Sequence, residues 1–139
     1  MARLTMMSTG SSDVRRGPLH HPLRFPAALL LAVAGAVHVP VIPQHLREAP
    51  YIGALFIVLT ALCLGLALVL PRYDTSTVWA ASGVITAAAV LAYALSRTVG
   101  LPQIGDDIGN WTDPLGLAAI ASEGLTAALA ATALRQERG

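Results

Sequence analysis

Four runs of apolar positions, 26–43, 51–70, 77–96 and 114–134, are separated by short polar stretches along this chain. The first run contains one ionisable residue, His38; the second and third carry no charge; the fourth holds only Glu123. Each is close to the ~20 residues that a helix rising ~1.5 Å per residue needs to cross ~30 Å of hydrocarbon. Backbone groups in hydrocarbon must find partners within their own segment, so runs of this kind are helices. A soluble helical bundle would need a polar stripe on each helix, and these runs supply none. The pattern predicts an all-α, polytopic membrane protein: a four-transmembrane-helix bundle over 25–134. A disordered cytoplasmic tail is expected over 1–24 and a short cytoplasmic tail over 135–139.

Composition supports the same class. Of 139 residues, 55% are hydrophobic and only 12% charged, and the mean hydropathy is +0.63, whereas charged residues make up about a quarter of a soluble domain. The net charge of +1 provides no clustered basic surface for nucleic acid. Lysine is absent, and the arginines are unevenly placed. With the N-terminus inside, Arg3, Arg15, Arg16, Arg24, Arg72, Arg135 and Arg138 fall on the inner side, and Arg47 and Arg97 on the outer. The excess of inner cations predicts a multi-pass protein of the cytoplasmic membrane with both termini cytoplasmic. Trp79 is then expected at the inner interface and Trp111 at the outer one.

Two processing signals were weighed. Arg15-Arg16 lacks the apolar residues that follow an export twin-arginine. Ala34-Gly35-Ala36 resembles a signal cleavage site, but the apolar run continues beyond it to Ile42, long enough to serve as an anchor. The lone cysteine, Cys63, has no partner within the chain for a disulfide.

Candidate chemistry gathers on the predicted outer side. His38 lies about 7 Å below the outer end of its helix and Glu123 about 13 Å below its own, counting ~1.5 Å per residue. Both share a helix face with small residues, which favours an inward orientation. Ionisable groups within a membrane span are costly and mark candidate functional positions. Adding His45, Glu48, Tyr93 and Arg97 defines an expected outward-facing polar vestibule. Its imidazoles and carboxylates, His38, His45, Glu48 and Glu123, form a ligand set suited to a divalent transition metal such as Zn, Cu or Ni. A simpler reading has Glu123 hydrogen-bonded to His38, Tyr93 or a carbonyl, locking the bundle. Only His38 lies inside a helical run, so paired axial histidines for haem are not offered. The acids of the 96–113 loop do not follow a calcium-loop spacing, and Asp113-Pro114 reads as a helix cap. Pro40, Pro43 and Pro50 are expected to disrupt helix around His45. Ser82, Thr86, Ser122 and Thr126 are expected to bond backbone carbonyls rather than act as nucleophiles.

The segment from His38 through His45-Leu46-Arg47-Glu48-Ala49-Pro50-Tyr51, with Ser96-Arg97-Thr98-Val99-Gly100-Leu101-Pro102, resembles small, uncharacterised four-helix bacterial integral membrane proteins. That resemblance spans about 25–134; it implies the four-helix fold and no reaction. Without a nucleophile–base arrangement, the expected function is non-enzymatic. An accessory or interaction subunit of the cytoplasmic membrane is expected, either a homo-oligomer or part of a larger complex, with the lipid bilayer as its surroundings. Metal binding or ion handling at the vestibule is the alternative.

Overall fold

A computed structural model describes residues 21–139 as helices joined by short connections, with no strand among them. The helices are α1 (Arg24–His38), α2 (Ile42–Glu48), α3 (Pro50–Val69), α4 (Ser76–Thr98) and α5 (Pro114–Arg138). Single 3-10 turns occur at Val39–Val41 and Gly105–Asp107. Four stretches are long and apolar enough to cross a membrane: Arg24–Glu48, Pro50–Val69, Ser76–Thr98 and Pro114–Arg138. Most of the expected N-terminal tail, including Arg15, Arg16 and His20, lies outside the described residues. The stretch 135–139, expected as a tail, is helical as far as Arg138, since nothing in Arg135-Gln136-Glu137-Arg138 breaks the ladder.

The prolines after His38 tighten the helix rather than ending it. Pro40 and Pro43 lack the N–H groups that would continue the α ladder. The chain responds with three-residue bonds, Val39 N–H to the Ala36 carbonyl and Ile42 N–H to the Val39 carbonyl. Backbone angles stay helical through this turn, so α1 continues into α2. The true break is Ala49 (φ −144°, ψ 82°), which Pro50 forces out of the helical region. This one residue reverses the chain, and α2 folds back along the start of α3.

Helix α5 packs along both α4 and α1, and α1 packs along α3, but α3 and α4 touch only sparsely. The bundle is therefore a ring left open between α3 and α4. Close approach of α4 to α5 depends on small side chains: a Cβ at Gly83 would stand 3.0 Å from the Ala130 Cβ. Ser82, Thr86, Ser122 and Thr126 line this contact fully buried or nearly so. Their hydroxyls donate to carbonyls four residues back at 2.7–2.9 Å, so they pack as small, satisfied groups. Gly65 and Gly124, by contrast, have nothing within 4 Å of an added Cβ, and Ala61/Gly65 faces outward.

The apolar cluster lies toward the end carrying the described termini and joins Ala27, Leu31, Ala34, Cys63, Leu70, Trp79, Ala130 and Ala133. Trp79, expected at the inner interface, has its side chain inside the protein rather than on its surface. It is completely buried, because its indole N–H has a partner inside: the Asp74 carboxylate, 2.6 Å away. Large apolar side chains point outward instead, as with Leu29 (68% exposed), Leu68 (65%) and Val84 (70%).

Candidate functional site

The opening between α3 and α4 is a cleft of about 510 Å³. Its walls are Leu55, Phe56, Leu59 and Leu62 of α3 facing Ile85 and Ala89 of α4. Its polar lining includes His38, His45, Tyr93, Arg97, Asp107 and Glu123. Five of the six residues expected at a vestibule thus meet in one cavity. Glu48 does not join them: it is exposed on α2 and accepts a hydrogen bond from Gln44 Nε2 at 3.0 Å. A helical turn does form there, but Glu48 pairs with Gln44 one turn back on the exposed side of α2.

The two histidines are held in the same way. His38 Nδ1 lies 2.7 Å from the Ala34 carbonyl oxygen and His45 Nδ1 lies 2.8 Å from that of Val41. A carbonyl only accepts, so each Nδ1 carries the proton and each Nε2 faces away from its own helix. Both rings pack against Phe56, with centroids 4.9 Å from it. Glu123, 1% exposed, projects from α5 toward His38, leaving 3.7 Å between His38 Nε2 and Glu123 Oε1. That separation exceeds a hydrogen bond. Glu123 does not lock to His38 directly.

Nearer the long α4–α5 loop, the charges are already matched. Arg97 Nη1 lies 2.8 Å from Asp107 Oδ2, and the guanidinium sits 4.7 Å over the Tyr93 ring. Of the partners open to Arg97 from its position, the loop acid is the one it takes. Gly109 N–H bonds the Arg97 carbonyl at 2.8 Å, and the Tyr51 hydroxyl donates to the Pro102 carbonyl at 2.6 Å, so the loop is stitched to both α4 and α3. Asp113 caps α5 by accepting from Gly116 N–H at 2.7 Å. Gly116 also makes room for Tyr93, whose ring and hydroxyl would lie 2.8 and 2.9 Å from a Cβ there.

Among the described residues Glu123 Oε1 is buried on this cleft without a hydrogen bond, and Tyr93 Oη and Arg97 Nε, also buried there, have only each other's side chain close by. Unsatisfied buried polar atoms are rare in folded chains and costly. The convergence of these groups on one cavity makes it the candidate site. Among the described residues no three of His, Cys, Asp or Glu are grouped as ligands. The pair His38 and Glu123 comes together, His45 packs on the Phe56 ring, and Glu48 lies outside.

Asp74 is the polar centre that the sequence pattern passed over. It is fully buried at the opposite end of the bundle and accepts from the Trp79 indole and from His21 N–H. Arg24 Nη1 stands 3.8 Å from it. His21 in turn reaches Gln136 on α5 at 2.5 Å and packs edge-on against Trp79. An acid in a short Pro71-Arg72-Tyr73-Asp74-Thr75-Ser76 connection reads as solvated. The one available signal was Trp79, five residues on, at a position otherwise flanked by small residues.

No family model matches the chain, and no curated protein or solved structure matches it either.

Proposed function

We propose that this is a multi-pass protein of the cytoplasmic membrane, with both termini cytoplasmic, that works by binding rather than by catalysis. In this reading it is an accessory protein that takes a small, largely apolar molecule from the bilayer into the cleft between α3 and α4. The observation that carries the reading is the buried Glu123 Oε1, which makes no hydrogen bond among the described residues, on a cleft with apolar walls and with Tyr93 and Arg97 in its lining. Ligand sites combine a mostly apolar lining with a few convergent polar groups, and ~300–1,000 Å³ is their usual size. Support for the membrane setting comes from the four spans and from the outward Leu and Val side chains over buried Ser, Thr, His and Glu. Against catalysis stands the absence, among the described residues, of a nucleophile hydrogen-bonded to a base; the helix hydroxyls are occupied by carbonyls. The metal alternative keeps one favourable feature, two imidazoles whose Nδ1 protons are tied to carbonyls and whose Nε2 atoms are free to ligate.

Native mass spectrometry of the protein released from its membrane should show an organic adduct on each chain. Ala92→Trp, which adds an indole to the lining of the cleft, should abolish that adduct. An adduct matching zinc, copper or nickel would favour the metal alternative, and an adduct unchanged in the plugged variant would remove the cleft from consideration. Topology has its own check. In a Cys63→Ala background, an impermeant maleimide applied to intact cells should label Asn110→Cys but reach Arg138→Cys only after permeabilisation. The opposite labelling would invert the proposed orientation.

A further inference from the structure

The gap between His38 and Glu123 sets a chemical requirement on whatever lies between them. Resting on the binding reading above, we infer that the cleft's ligand is a hydroxyl-bearing amphiphile whose hydroxyl bridges His38 Nε2 and Glu123 Oε1. Its apolar body lies between α3 and α4.

The argument begins with the proton on His38. The Ala34 carbonyl, 2.7 Å from Nδ1, fixes that nitrogen as a donor, leaving Nε2 to face Glu123. The two facing atoms are 3.7 Å apart, and Glu123 Oε1 has no other partner among the described residues. An oxygen placed ~2.8 Å from each fits beside the line joining them. The pair can be net neutral in two ways. With a neutral imidazole and a protonated carboxyl, Glu123 donates and Nε2 accepts. With imidazolium and carboxylate, Nε2 donates and Glu123 accepts. Either way, the bridging group must accept from one side and donate to the other. A hydroxyl does both. A ketone, ester or ether only accepts, and an ammonium only donates.

The remaining surroundings disfavour an anionic head. Arg97 is the cleft's one arginine, and Asp107 already holds it at 2.8 Å. A carboxylate or phosphate would therefore enter a low-dielectric site without an uncompensated cation to receive it. The body of the ligand is set by the walls, where Leu55, Phe56, Leu59, Leu62 and Ile85 line the cleft. The sparse contact between α3 and α4 leaves a sideways route from the bilayer. A single water would satisfy the polar pair but leave those walls bare. A long-chain alcohol and an alkylphenol share the required chemistry and differ only in the carbon that bears the hydroxyl.

The test uses the full-length protein in phosphatidylcholine nanodiscs, titrated separately with 1-hexadecanol, 4-dodecylphenol, hexadecyl methyl ether and palmitate. Binding is read from native mass spectra and from the shift in unfolding temperature. Hexadecanol, dodecylphenol or both should bind about tenfold more tightly than the ether, the value of one well-placed hydrogen bond with a buried partner. Which of the two is tighter identifies the source. Palmitate should bind no better than the ether. In His38→Phe and in Glu123→Leu, alcohol and ether should bind alike, while the ether's own affinity stays within about twofold of the parent protein. That loss of discrimination is not expected from a fold defect, which would weaken both probes together. Equal binding of alcohol and ether to the parent protein would overturn the hydroxyl bridge and leave the cleft as a binding site. Preference for palmitate would also overturn it, in favour of an anion site. Failure of every probe to bind would overturn the binding reading itself.

Discussion

Asp74→Ala should destabilise the protein by about 3–5 kcal/mol, the range for removing one partner from a buried charged contact. The side chain is fully buried and accepts two hydrogen bonds, from the Trp79 indole at 2.6 Å and from His21 N–H, with Arg24 Nη1 at 3.8 Å. Alanine would strand the buried Trp79 indole N–H and take the acceptor from the part-buried His21 N–H. The effect should spread beyond the α3–α4 connection. His21 leads into α1 and also reaches Gln136 on α5, so Asp74 ties three parts of the bundle together. Asp74→Asn keeps a carbonyl acceptor and should cost roughly 1–2 kcal/mol. Unfolding by SDS titration, followed by tryptophan fluorescence, reads both changes. An alanine variant within ~0.5 kcal/mol of the parent, the size of an ordinary surface substitution, would show that Asp74 is not this anchor.

Gly53→Ala is the second large effect, and its cause is steric. A Cβ at Gly53 would meet Leu46 Cγ and Cδ2 at 2.6 Å and the Leu46 backbone nitrogen at 2.7 Å. A side chain could turn aside, but a backbone nitrogen moves only if α2 moves. The expected cost is about 2–3 kcal/mol, at the upper end for overpacking a close contact. Displacing α2 also shifts His45 from its packing on Phe56, so ligand binding in the cleft should fall with stability. Gly65→Ala is the matched control on the same helix. Nothing lies within 4 Å of its added Cβ, and alanine's better helix propensity should leave the protein unchanged or up to ~1 kcal/mol more stable. If both variants behaved alike, close packing of α2 on α3 would be refuted.

Elements and site differed in how far they could be read from residues alone. The four spans were legible because run length and the near-absence of charge are local properties, and bilayer thickness converts them directly into helices. Asp113 as a cap and the four helix hydroxyls as carbonyl-bonded groups were legible for the same reason, since their partners lie within four residues. His38 and Glu123 could be placed at similar heights from helix counting, and the structure does set them side by side. Glu48 belongs with them by residue type and by its place on the predicted outer side, while Pro40, Pro43 and Pro50 are expected to disrupt helix around His45. A 3-10 turn takes up Pro40, the first turn of α2 takes up Pro43, and Glu48 is exposed on α2. The burial of Trp79 was not legible, because its indole partner, Asp74, lies in a connection that carries no apolar pattern.

The sequence by itself therefore determined the all-helical character, the four apolar spans, their approximate ends, and the two ionisable residues set among them. Tertiary structure alone decided that α3 and α4 stand apart, that a cleft opens there, and that Arg97 is neutralised by Asp107 while Glu123 is left 3.7 Å short of His38. The physical reason is range. Helix formation and span length depend on neighbours a few positions apart. Which faces meet depends instead on side-chain volumes such as Gly83 against Ala130 and Gly53 against Leu46, from segments remote in the chain. No local pattern encodes the gap that remains after those contacts are made.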